Sequence, residues 1–326
     1  MSHWPRAARR LRLVSGWSAA LILALEIILF TILLAPRNGG AHTFANGANF
    51  ALILKYSSIY GIGAIAAAMI IGAGGIDLAP GAVIALASVV VGHLFVVEQW
   101  PLWISCATGL LTGLLSGSLA ATLVVVARLP PFIATLGVMG ITRGAAFLVT
   151  EGRFYDLSSR YPAAMTLLGL PLTAWPGVVM LGLAAIFHVV MVHTALGRHI
   201  LAVGGNEQAA RYAGVRVARV KSFVYVAGGL LAALAGVVLA VVQGQGKADL
   251  ANGYELDIIA AAVVGGASLS GGRSSVVGAV IGSLIFGVLR NALTQFPGGT
   301  FADRLILGIA VLVIVVMDRI AAGKPS

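Results

Sequence analysis

Long apolar runs separated by short polar or basic stretches dominate the chain. A bilayer core of about 30 Å takes about 20 residues at helical rise. Runs of that order fall near Trp17–Ala35, Tyr56–Ala73, Pro80–Val97, Leu102–Ala127 and Phe132–Thr150. The second half adds Thr173–Val192, Ser222–Val242, Asp257–Ser268, Ser274–Leu293 and Asp303–Met317. The pattern predicts an all-α, polytopic bundle of about ten transmembrane spans forming a single domain over residues 1–326. Asp257–Ser268 is too short to cross unaided, so it is expected to be tilted, extended or broken. Arg6, Arg9, Arg10 and Arg12, in a basic segment 1–16, precede the first run. That run exceeds the roughly 7–15 apolar residues of a signal peptide and has no small-residue cleavage pattern behind it, so it reads as a retained helix.

Composition supports the same solvent. Hydrophobic residues make up 59% and charged residues 10%, against about 25% charged in soluble domains. A water-facing surface cannot be built from so few charges. The net charge of +10 is spread as short clusters between apolar runs, which is a topology signal and not a phosphate-binding stripe, so no nucleic-acid partner is expected. With the N-terminus inside, thirteen Lys and Arg fall on the inner side, seven on the outer side and Arg143 within a span, out of 21. Both termini are therefore expected in the cytoplasm. The single Cys106 excludes an internal disulfide and reads as a small packing residue.

Gly totals 42. In lipid, small residues let helix backbones approach closely, so Gly61–Ala68 and Ala227–Gly236 are expected contact faces. Ala66–Gly75 and Ala260–Gly266 echo each other weakly, and shared composition explains the echo.

The polar segments carry the specific signals. The longest inner loop, 193–221, holds a candidate short helix: Asn206 caps it, Glu207 opens it and Gly214 ends it. Ala209, Ala210 and Tyr212 would offer a docking surface, whereas an ordinary basic loop would explain the charges but not the cap. Asp77 lies between two spans within Gly74–Gly81. It is either a gate element on exposed backbone or a loop acid at the next helix start. Arg143 lies deep in the fifth span and must be paired or hydrated, as an ion pair or as a pathway group. Glu26 poses the same question in the first span. Tyr60, Thr135, Gln243 and Gln245 offer hydroxyls and amides to a solute or to neighbouring helices. Leu269–Arg273 superficially matches an ATPase signature, but no phosphate-cradling loop accompanies it, so it reads as a glycine-rich turn. The six His have no ligand spacing, and neither metal, cofactor nor nucleophile–base pair is expected.

Gln208-Ala209-Ala210-x-x-x-Gly214 resembles the coupling motif of ABC importer permeases, with Gln at the usual Glu position. The wider loop is similar to that of ribose-type sugar permeases. So are Gly74–Leu78, Pro130–Gly137, Gly140–Gly144 and Gly253–Arg273, in collinear order over about residues 50–318. Ala79-Pro80-Gly81 stands where that family has Ser-Val-Gly; Pro80 suits a first helical position. The resemblance implies a non-enzymatic permease subunit of a bacterial inner-membrane sugar importer. Asn206, Glu207, Gln208, Ala209, Ala210, Arg211 and Gly214 would couple it to an ABC ATPase subunit. Tyr60, Gly74, Gly75, Asp77, Thr135, Arg143 and Gln243 are the candidate pathway or gate residues. A periplasmic solute-binding protein and a second permease subunit, identical or related, would complete the system. The alternatives are another small solute (branched-chain amino acid, nucleoside or furanone) or a secondary transporter.

Overall fold

The structure, a computed structural model, describes residues 6–35, 44–160, 166–167, 170–171, 174–296, 305–306 and 308–309. It opens with helices α1 (Arg6–Leu34), α2 (Gly47–Gly72), α3 (Pro80–Gly92, continued by a π turn to Val97), α4 (Leu102–Val125) and α5 (Pro131–Thr150). After α6 (Trp175–His193) come two short helices, α7 (Ala195–Gly205) and α8 (Glu207–Tyr212), then α9 (Val217–Gln243), α10 (Tyr254–Val264) and α11 (Val276–Thr294). Among the described residues seven helices are long and apolar enough to cross a membrane: α2, α3 with its π turn, α4, α5, α6, α9 and α11. The apolar stretch Ala19–Leu34 of α1 is shorter. The expected last span, Asp303–Met317, falls almost wholly outside the described residues, as does the C-terminus.

The bundle is built around α2, every residue of which from Ser57 to Gly72 is buried. It packs against α6, α9, α10 and α11, and the small residues make that possible. Gly61 faces Met180 and Ser283, and Gly63 faces Ile258. Among the described helices the most extensive crossing is α4 on α9. Gly109, Gly113 and Gly117 form a ladder on α4, and Gly113 lies against the Gly229 carbonyl, where any Cβ would strike backbone. With lipid tails as apolar as leucine, such close approach is what favours helix–helix contact.

Two breaks interrupt this regularity. The first joins α2 to α3: Gly74 takes a left-handed φ of 79°, and the Gly74 and Gly75 amides donate back to the Ile71 and Ile70 carbonyls, each at 2.9 Å. The second is the stretch 244–253 between α9 and α10. It begins with β4 (Gln245–Lys247), which pairs antiparallel with β1 (Phe154–Asp156), Tyr155 opposite Gly246. A separate small ribbon pairs β2 (Thr166–Leu167) with β3 (Leu170–Pro171).

The eighth expected span, Asp257–Ser268, is therefore a half-helix, α10, of 11 residues. At helical rise it covers about 16 Å, roughly half a bilayer. It starts at the mid-height of α2, where the Tyr254 and Tyr60 rings stand 4.5 Å apart. It then runs parallel to α2 and antiparallel to α11, with Gly282 seated on the Ala261 carbonyl and Gly265 on Gly278.

Candidate functional site

One end of the bundle carries α7 and α8. Asn206 caps α8, its Oδ1 accepting the Ala209 amide at 2.9 Å. Gly214 closes it with φ 83°, the Gly214 and Val215 amides donating to the Arg211 and Ala210 carbonyls at 3.0 Å. No atom lies where a Gly214 Cβ would go, so the backbone angle and not space selects glycine. Glu207 lies between two cations, accepting from Lys221 at 2.6 Å and from Arg211 at 3.1 Å. The Lys221 hydrogen bond, chiefly, holds its carboxyl below the ordinary range. Ala210 is buried and turns into the bundle, so the docking face expected of Ala209, Ala210 and Tyr212 loses its middle member. Gln208, Ala209, Arg211 and Tyr212 face outward, Tyr212 at 83% exposure.

Beneath α8 three glycine turns meet. Gly204, near the end of α7, touches Gly72 at the end of α2 and Gly272 in the 265–275 turn. The Gly272 amide donates to the Gly72 carbonyl at 3.1 Å. Leu269–Arg273 is thus a turn, with left-handed φ of 78° and 74° at Gly271 and Gly272.

The α2–α3 break sits beside this junction. Thr135 of α5 braces it: its hydroxyl accepts the Leu78 amide at 3.1 Å and donates to carbonyls including that of Ile76 at 3.3 Å. Asp77 Oδ1 accepts the Ala79 amide at 2.9 Å, ahead of Pro80 at the start of α3. Burial pushes its carboxyl up to about 6, against the pull of that hydrogen bond. Gly74, Gly75, Asp77 and Thr135 therefore share one place.

The other expected pathway residues lie elsewhere. Arg143 is a staple, one Nη donating to the Ala248 and Leu250 carbonyls at 2.7 and 2.9 Å. It satisfies the turns that lead from β4 into α10. Tyr60 belongs to a polar cluster with Tyr254, Asp257 and Arg290. Arg290 donates to Asp257 at 2.8 Å and to the Tyr60 hydroxyl, and its guanidinium lies 4.7 Å from the Tyr60 ring centre. Arg290 is inside α11, held there by Asp257. Gln243 is exposed at the end of α9. Glu26 has one carboxylate oxygen buried without a hydrogen bond on α1, which packs on α11. Sequence reasoning missed Asp257, Arg290 and Tyr225, whose roles come from partners far along the chain. Among the described residues no group of three or more His, Cys, Asp and Glu could hold a metal ion.

This arrangement has the parts of a transport subunit: a bundle with broken helices, a polar cluster inside it and a capped helix at one rim. A family model described as the permease component of the branched-chain amino acid transport system matches residues 49–316. The chain belongs to this permease family. It is 38% identical to the ribose import permease protein of Bacillus subtilis, over 85% of this chain and 86% of that one. It is 35% identical to the L-arabinose transport system permease protein of Escherichia coli, over 85% and 83%. A probable ABC transporter permease protein, YphD, of the same bacterium is 34% identical over 92% and 90%. No solved structure matches. The permease is a multi-pass membrane protein.

Proposed function

We propose that this permease is the membrane-spanning subunit of an ATP-driven importer for a monosaccharide, ribose-like or arabinose-like, in a bacterial inner membrane. The observation that carries the reading is α8, capped by Asn206 and clamped by Lys221, with Tyr212 and Arg211 turned outward. Such a rigid knob suits a cleft in an ABC ATPase subunit. The sugar cargo rests on the ribose and L-arabinose permeases the chain resembles. In this reading α8 is cytoplasmic, about ten spans put both termini on the same side, and the whole chain is one domain. Two permease subunits, identical or related, enclose the pathway, and a periplasmic binding protein delivers the solute. ATP binding must stabilise one orientation by several kcal/mol to reverse the population.

The test is reconstitution in proteoliposomes with an ABC ATPase subunit and a periplasmic binding protein as partners. Labelled ribose or L-arabinose should enter only with ATP. Tyr212→Glu, at an exposed position, should abolish uptake while leaving insertion and yield unchanged. Uptake that persists without the ATPase sinks the reading. Preferential uptake of leucine would move the cargo to branched-chain amino acids.

A further inference from the structure

The route from α8 into the bundle can be followed residue by residue, and it ends on a group with nothing to do. Glu207 of α8 grips Lys221 at 2.6 Å. One turn further along α9, on the same face, stands Tyr225. Its side chain is 2% exposed, and its hydroxyl has no hydrogen-bond partner. The hydroxyl is pressed against Gly75, where a Cβ would collide with it, and lies within reach of the charge on Asp77. Lys221, Tyr225, Gly74 and Gly75 line one small cleft together with Pro131 at the start of α5. Buried polar groups in native proteins are nearly always bonded, so an idle one requires an account. A hydroxyl unused in one conformation and used in another supplies it.

We propose that Tyr225 is the positioning residue that passes the movement of α8 to the break between α2 and α3, by donating its hydroxyl to Asp77 in the opposite orientation of the transporter. The proposal rests on the coupling reading of α8 given above. When the ATPase shifts α8, the Glu207–Lys221 pair carries the first turns of α9 with it. Tyr225 then slides along the side-chain-free surface of Gly75 and reaches the Asp77 carboxylate. There it competes with the Ala79 amide that now holds Asp77, so the entry to α3 loosens. Glycine at 75 is what leaves that route open. Thr135 keeps the rest of the break, Ile76 and Leu78, fixed on α5, which confines the change to the Asp77–Ala79 turn.

The experiment uses the reconstituted importer with its ATPase and binding protein, and reads sugar taken up per ATP hydrolysed. Tyr225→Phe removes one oxygen that makes no bond here, so yield, thermal stability and ATP hydrolysis should match the parent. Uptake per ATP should fall at least about fivefold, the lower end of measured coupling between sites. Asp77→Asn should fall likewise, and the double variant should be no worse than the poorer single, as for residues acting on each other. An unchanged ratio in Tyr225→Phe overturns the proposal. So does a parallel loss of uptake and ATPase activity, which marks a merely structural role, and so do losses that multiply in the double variant. Tyr212→Glu runs alongside: if it still couples, the reading of α8 fails and this proposal with it. If it uncouples while Tyr225→Phe is silent, only the present proposal fails.

Discussion

Arg290 and Asp257 show what a charge inside the bundle demands. Their side chains are 24% and 17% exposed, and they meet at 2.8 Å. Removing one partner of such a pair leaves the other charged among apolar helices, at about 3–5 kcal/mol, whereas replacing both is often nearly neutral. Arg290→Met should therefore lower thermal stability in detergent markedly, and Arg290→Met with Asp257→Leu should recover most of the loss. Singles that melt like the parent would mean the pair is solvated and idle. The sequence marks these positions poorly. Arg290 stands four residues from the end of α11, where a basic residue is ordinarily free to reach the polar interface and needs no partner. Nothing in linear order says that Asp257 and Tyr60 will both reach it. Arg143, deep in a run, is visible as a residue needing partners, but those partners are backbone carbonyls 105 and 107 positions away. Tyr225 gives no signal, because its interest lies in a bond it does not make.

At the scale of elements, apolar length and glycine spacing carry the reading. The runs near 80–97, 102–127 and 132–150 appear as α3, α4 and α5 within a few residues. The capped α8 is legible because its signals, Asn206 and Gly214, act on neighbours within the same turn. The half-helix α10 is legible only as a run too short to cross. Its true start is set by the strand and turns before it, which are held by β1 and Arg143 and not by local preference. The α4–α9 crossing is a stricter case. Gly113 lies against the Gly229 carbonyl with no room for a Cβ, so Gly113→Leu must force the two backbones apart. Overpacking a core costs about 1–3 kcal/mol, and here the obstacle is backbone that cannot change rotamer. The variant should insert but lose its folded fraction on mild heating, followed by protease sensitivity of α4 and α9. Gly137, with nothing within 4 Å of a Cβ, should tolerate alanine in the same assay.

For the whole molecule, the question is how firmly the rim is attached to the bundle. α7 is fastened by the Gly204 contacts with Gly72 and Gly272, which are made to backbone and carry no titratable group. α8 is fastened differently, by inward-turned Ala210 and by the Glu207–Lys221 pair. The two attachments therefore respond to different conditions. Glu207 titrates below its ordinary value of 4.5, chiefly because Lys221 bonds its charged form. The sign follows from linkage. A depressed carboxyl stabilises the attached state fully above the ordinary value and loses that contribution as pH falls through the folded value. The loss is modest, since Glu207 is partly exposed and screened. Hydrogen exchange of the amides at 209–215 should therefore speed up as pH drops below 4.5, after correction for intrinsic rates, while amides of α7 stay protected. Lys221→Met should show the faster exchange at neutral pH and a smaller further change on acidification, that of the remaining Arg211–Glu207 pair. Equal responses from α7 and α8 would mean that the rim moves as one body, and the Glu207–Lys221 pair would then not be its hinge to α9.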